Sequence, residues 1–489
     1  MAHRLFGRAD WLLVIGLMVS YAYFFQAGGW NQNSRFDLLR AIVEQHTTRI
    51  DDYVQNTGDR AEVNGHFYSD KAPGQALTAV PVAAAWTALV RAAGADAQAP
   101  TSQALMAYLS TIWAAGLPTT VAAVAVARSA RVLGASATGA AVAALGYGLA
   151  SPAWAYATEL WGNALTAGCL MVAFVGTLAL RDCAGRHRDA WLSLLVGVAC
   201  GWAVVSEYPA APAAAILVCV ALVHAGSHSR QQLLQTAVFA GLGACASMAV
   251  LVLYNSASFG SPRFISYGGI QGWPGMTEGI FGVTLPRRTV LQEILFGTFR
   301  GIVPLAPAVV LAPIGLVLLL RERANRPAVA AAAGVAIYYL LFNAAFYYWD
   351  GGATYGPRYI GAALPFFFLG LGQVWTRGVR AVRWLIGVLV GAGVVLTAMA
   401  VSTSVMIPED VGSPLIDAIL PSFLHAELAQ NRESFLQYGT AIPAQGLAGA
   451  WNLGQLVGLP GLWSLLPLLL LWIVCLSVGL NFRTRRKCW

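Results

Sequence analysis

Hydrophobic residues along this chain follow neither the alternation of a strand nor the three-and-four spacing of a surface helix; they come in long runs almost free of charge. Runs of about 18 or more such residues are candidates to cross a bilayer. They occur at 11–28, 104–126, 136–152, 161–180, 189–206, 209–226, 232–253, 303–320, 327–347, 356–375, 383–402 and 459–480. The pattern predicts an all-α polytopic membrane protein with about twelve transmembrane helices, read as a single integral membrane domain over 1–489. Polar sequence interrupts it at length in three places, 29–103, 254–302 and 403–458, which read as the large loops. Inside the first loop, the apolar stretch 73–94 with its polar flanks and Arg91 reads as an amphipathic helix lying along the membrane interface. Ser34 is placed to cap a short helix from about Arg35 to Gln45, with Phe36, Leu39 and Val43 on one face.

Charge orients this arrangement. The short segments "ARSARVLG" (127–134), "RDCAGRHRD" (181–189), "HSRQQ" (228–232), "RERANR" (321–326), "TRGVRAVR" (376–383) and "FRTRRKCW" (482–489) are basic. The positive-inside rule puts all six in the cytoplasm, with both termini. Arg4 and Arg8 resemble the charged start of a signal peptide, but polar "GGWNQNSRFD" follows the run instead of a small-residue cleavage site, so the run reads as a retained span. Eighteen of the 22 carboxylates then face outward, all but Asp10, Asp182, Asp189 and Glu322. That asymmetry directs the search for chemistry to the periplasmic side of a bacterial cytoplasmic membrane.

Composition agrees: 57% of residues are apolar and 11% charged, against roughly 25% charged in a soluble domain. The net charge of +8 sits between the spans and indicates no nucleic acid. Seven cysteines, at 169, 183, 200, 219, 245, 475 and 488, form no CxxC pair, and supply neither a disulfide framework nor a metal site. The outer imidazoles His46, His66 and His425 have no zinc-binding spacing, so no metal site is expected; a divalent cation stays open.

The first loop is the richest in candidates. Arg35, Asp37 and Arg40 lie near the mouth of the first span, followed by Asp51, Asp52, Asp59, Asp70 and Lys71. A single exposed aspartate there reads as a wet loop, whereas the cluster beside the membrane surface reads as a site for lipid-linked substrates. In the outer turn 153–160, Glu159 is a functional candidate beside the alternative of capping the next helix. Glu207 and Tyr208 in "EYP" offer acceptor contacts or helix capping. Arg263, Arg287, Arg288 and Arg300 are basic against the positive-inside trend, as phosphate-binding forks would be, with anionic headgroups as the alternative for Arg287 and Arg288. Asp350 and Arg358 close the set, in the turn "WDGGATYGPRY".

Arg35-Phe36-Asp37 on a helix, the closing "FYSDKAP" (67–73) and "ASPAWAYATELWGN" (150–163) appear in an order that resembles the GT-C superfamily of membrane glycosyltransferases. The likeness is to the branch with protein O-mannosyltransferases and the aminoarabinose transferase that modifies lipid A, and to a bacterial subgroup of family-39-type enzymes. Its motifs cover roughly the first 210 residues and its hydropathy the whole chain. In that branch the loop opens on an Asp-Glu pair, where this chain has Gln32-Asn33, and an amide is no general base.

The resemblance implies inverting transfer of a sugar from a polyprenyl phosphate to an acceptor hydroxyl of protein, lipopolysaccharide or cell-wall glycan. A carboxylate deprotonates the acceptor while cations hold the leaving phosphate. Asp37 is the expected base, with Asp59 and Asp70 behind it. Arg35, Lys71, Arg263, Arg300 and Arg358 are expected on phosphate and donor, and Glu159 as an orienting acid. Two rivals stand beside this reading. A transporter or flippase would carry ionisable residues deep within its spans, and a non-catalytic assembly subunit would suit Gln32-Asn33.

Overall fold

The computed structural model describes residues 8–182, 185–436 and 447–485. Cys183, Cys488 and the end of the last basic segment lie outside them. Among the described residues, eight helices are long and apolar enough to cross a bilayer: Pro100–Val132, Gly162–Ala179, Arg186–Ser206, Tyr208–Gly226, Arg230–Phe259, Arg323–Ala345, Arg358–Arg377 and Arg380–Thr403. Each coincides with a predicted run, and the all-α polytopic class holds.

The remaining four runs give shorter or broken apolar helices. Among the described residues the first helix runs Arg8–Ala22. The run at 136–152 yields Ala137–Gly148, 12 residues, which reach about 18 Å against a hydrocarbon core of about 30 Å. Pro304, Pro307 and Pro313 break the run at 303–320 into Ile302–Leu305, Pro307–Leu311 and Ala312–Leu320. The last run begins with a 3-10 turn at Gly461–Leu465 before its helix starts at Leu466.

The basic turns meet at one end of the bundle. Arg131 pairs with Asp10, Arg377 with Glu322 at 2.7 Å, and Arg181 donates to Asn325 at 3.0 Å. Asn325 and Gln373 both donate to the Leu133 carbonyl. The acid-rich loops gather elsewhere. In the first of them the helix runs Trp30–Gln45 behind Gly29, so it starts earlier than expected and Ser34 lies inside it instead of capping it. Asn33 does the nearer work, accepting from the Gly29 amide at 3.2 Å and donating to the Ser434 carbonyl at 2.8 Å. Gln32 accepts from the Trp161 indole at 3.1 Å. The two amides therefore knit the first loop to the last loop and to the next outer turn.

The loop continues through Asp51–Asn56 into a hairpin of Arg60–Val63 and His66–Ser69. Asn64 and Gly65 turn it, both at positive φ (54° and 78°), the geometry of a two-residue turn whose twist matches the flanking strands. The helix Gly74–Ala92 follows, close to the expected 73–94. Its buried Ala76, Ala79, Ala83, Thr87 and Val90 recur at helical spacing, so one face packs inward. A short antiparallel pair, Phe24–Phe25 with Trp451–Asn452, ties the last loop to the end of the first helix.

Candidate active site

The hairpin register explains how two distant carboxylates become one site. Arg60 pairs with Ser69 at the open end of the ladder, so the next residues outward, Asp59 and Asp70, stand across from each other. Lys71 sits between them, its Nζ 2.9 Å from Asp59 Oδ2 and 2.8 Å from Asp70 Oδ2. Ser34, on the Trp30–Gln45 helix, approaches from behind: its hydroxyl lies 2.8 Å from Ser69 Oγ and donates to Asp70 Oδ1 at 3.3 Å. Burial pushes Asp70 up to about 6; the Lys71 ammonium opposes that rise and the Asp59 charge adds to it. Burial works against the Lys71 charge too, but the two carboxylates outweigh it and hold its pKa above the ordinary value.

These three residues line a cleft that encloses about 880 Å3 including its open mouth. Arg35, Glu207 and Arg358 also reach it, so three cations face three carboxylates. Arg35 is almost fully buried and gives Nη2 to Glu207 Oε1 at 2.5 Å, while its Nε and Nη1 have no protein partner. Those two N–H groups are what a planar fork offers to an anion. Glu207 fits because Gly162 leaves it room; a Cβ there would collide with the carboxylate. Arg358 lies over the Trp161 ring at 5.3 Å and the Tyr359 ring at 5.1 Å, and its carbonyl accepts from Asn163 at 2.7 Å. One wall, of Pro209, Tyr339, Phe342 and Ala362, belongs to the apolar helices. Trp273, Tyr347 and Tyr348 add aromatic rings to the lining.

Of the residues singled out from sequence, Arg35, Asp59, Asp70, Lys71, Glu207 and Arg358 meet in this cleft, and the others do not line it. Asp37 is buried beneath it, accepting from Asn56 at 3.0 Å. Burial drives its pKa well up, the Asn56 bond and Arg40 only partly offsetting this. Glu159 is enclosed with neither oxygen partnered, and burial raises it likewise, with Arg358 opposing. Arg300 is fully buried and spends its guanidinium on the carbonyls of Asp350 (3.2 Å), Gly352 (2.7 Å) and Thr354 (2.9 Å). It braces the turn before Arg358 and leaves no fork for phosphate. Asp350 caps that turn by accepting from the Gly352 amide at 2.7 Å. Tyr208 packs on Tyr267, with its hydroxyl 3.5 Å from Ser266 Oγ. Arg263 is exposed on the next loop.

Asn31, Trp161, Asn163, Trp273, Tyr347, Tyr348 and Tyr359 line the cleft without having been picked out from sequence. Their types are ordinary for outer membrane turns, and only the fold brings them together. Among the described residues, no three His, Cys, Asp or Glu side chains form a metal-holding group. The Asp59–Asp70 pair, the nearest such donor set, already grips an ammonium.

No family model matches the chain, and no curated protein does. Its all-α polytopic fold is shared with solved structures. Among solved structures it is similar to ArnT from Cupriavidus metallidurans bound to undecaprenyl phosphate, with a TM-score of 0.54 at 16% identity over 86% of this chain and 68% of that one. The apo state of the same ArnT gives a TM-score of 0.51 at 16% identity, over 86% and 67%.

Proposed function

We propose that this protein is a glycosyltransferase that moves a sugar from a polyprenyl phosphate to an acceptor hydroxyl at the outer face of the cytoplasmic membrane, with inversion. Lys71, clamped by Asp59 and Asp70 in a cleft with one wall of membrane-helix residues, carries the reading. A lipid-borne phosphate entering along that wall meets Lys71, the open edge of Arg35 and Arg358. Charge-assisted hydrogen bonds from these cations stabilise the oxygen that gains charge as the sugar leaves. The fold it shares with an ArnT bound to undecaprenyl phosphate supports the same donor class.

Asp59 takes the base role in place of Asp37. It is the more exposed carboxylate of the clamp, its side chain 9% accessible against 3% for Asp70. It removes the acceptor proton as the hydroxyl oxygen attacks the anomeric carbon and the phosphate departs with the C–O electron pair. Gln32 and Asn33 act as structural ties in this scheme. The inner-facing basic turns and both termini belong on the cytoplasmic side.

The test combines binding and turnover. Purified protein in nanodiscs binds undecaprenyl phosphate, Lys71→Ala loses that binding, and deleting the gene removes a glycan while its lipid-linked precursor accumulates. Unchanged glycans and lipid-linked sugars in the deletion strain defeat the proposal.

A further inference from the structure

Ring contacts run unbroken from Arg358, among the ionic groups of the cleft, to Trp30. The Arg358 guanidinium lies 5.1 Å from the Tyr359 ring, Tyr359 is 4.9 Å from Phe346, and Phe346 is 5.0 Å from Tyr347. Tyr347 then meets Tyr348 at 6.0 Å, Tyr348 meets Trp273 at 5.0 Å, and Trp273 meets Trp30 at 6.1 Å. Trp30 is 37% exposed at the far end.

We propose that this aromatic track is the acceptor subsite and that it takes a neutral oligosaccharide, whose terminal hydroxyl it delivers to the Asp59–Lys71–Asp70 clamp. The inference rests on the glycosyl-transfer reading above. The negative face of an aromatic ring attracts the weakly positive C–H groups on the flat side of a pyranose, and tyrosine adds a polar handle for hydroxyls. A row of rings repeats that contact along a chain of sugars.

Charge around the lip selects the class. Tyr348 donates its hydroxyl to Glu409, and Gln271, next to Gly272 and Trp273, donates to Glu62 at 2.5 Å. Carboxylates at the rim oppose a phosphorylated acceptor such as lipid A. Of the cations near the rim, Arg287 gives an N–H to the Phe346 carbonyl at 2.6 Å and Arg60 one to the Val54 carbonyl at 2.9 Å. A lipid tail is served by the Pro209, Tyr339, Phe342 and Ala362 wall, which lies on the membrane helices.

The experiment uses the full chain in nanodiscs and reads quenching of tryptophan fluorescence. Probes are linear α- and β-linked neutral hexose oligomers of about four to six units, a Ser/Thr-rich peptide, lipid A, and undecaprenyl phosphate as a separate titration. At least one hexose oligomer is expected to bind. Trp273→Ala weakens it about tenfold and leaves undecaprenyl phosphate affinity unchanged, while Trp273→Phe restores the oligomer, which a folding defect would not allow. Lys71→Ala shows the reverse pattern. Binding of the peptide or lipid A alone overturns the proposal, as does silence from every oligomer while undecaprenyl phosphate still binds. Failure of undecaprenyl phosphate to bind strikes the transfer reading itself, and leaves the track standing only if an oligomer binds.

Discussion

Two buried polar clusters share the helix Trp30–Gln45, and only one of them faces the cleft. Arg35 projects toward Glu207 and the Asp59–Lys71–Asp70 clamp, with two N–H groups unmatched by protein. Asp37, two positions along and so on another face, joins a group whose N–H and O–H donors pair within the protein, though Asp37 Oδ2 itself accepts no hydrogen bond. There Arg40 pairs with Glu44 at 3.2 Å and lies 4.1 Å over the Tyr53 ring, while Tyr53 and Gln103 donate to Glu44 at 2.9 and 2.8 Å. Both clusters are rich in charge and both derive from the acidic first loop. Acidity is therefore a poor guide to chemistry here; access to a cleft, with donors left for a ligand, separates the two.

The hardest blow to this contrast is Lys71→Ala. It leaves two enclosed carboxylates side by side without their ammonium, a loss of about 3–5 kcal/mol. Transfer is expected to fall at least about 100-fold, with weaker undecaprenyl phosphate binding and a lower thermal midpoint. Near-normal transfer by this variant would dissolve the distinction between the clusters.

Next in size is a matched pair of isosteric changes. Asp59→Asn removes the proposed base and is expected to lower kcat about 100- to 10,000-fold. Asp37→Asn replaces a carboxyl whose ionisation burial opposes, and activity should stay within about threefold. The opposite ranking would restore Asp37 as the base.

The clamp also gives a pH signature. Asp70 holds its proton up to about 6 against an ordinary 3.8. Below that pH the neutral acid releases its share of Lys71 to Asp59, which becomes a poorer base. Transfer should therefore decline as pH is lowered through about 6, and Asp70→Asn should give low activity with no inflection in that window. Stability moves the other way. The folded state keeps a proton that the unfolded chain has lost between those two values, so this group's contribution grows as pH falls through 6 and levels off below 3.8. Melting curves and pH–rate profiles that moved together would remove Asp70 from the account.

The spans were legible because lipid demands uninterrupted apolar helices. Where prolines cut the run at 303–320, hydropathy did not show the breaks. Lys71, Asp59, Asp70 and Arg358 were visible as outer charges, yet their convergence was not. The missing signal was Asn64-Gly65: a two-residue turn there fixes the hairpin register, and the register sets Asp59 opposite Asp70. Arg300 misled because an outward arginine that braces carbonyls looks, in sequence, like one that binds phosphate. Trp273 and Tyr348 are separated by 75 positions, and no local pattern could show that their rings touch.

The smallest expected effect is at Glu159, which sharpens the contrast because it lies close to Arg358 in charge terms but outside the cleft lining. Burial opposes ionisation of its carboxyl and raises its pKa well above the usual range, with the Arg358 charge opposing. Glu159→Gln keeps the shape; transfer should stay within about twofold. Glu159→Ala opens a void at a buried site and is expected to cost about 1–3 kcal/mol in the thermal midpoint with a smaller loss of rate. An ionised, reacting Glu159 would make the glutamine variant as defective as the alanine one, because both lack the carboxylate. A wide gap between them instead identifies the side chain as packing that holds the Arg358 wall of the cleft in place.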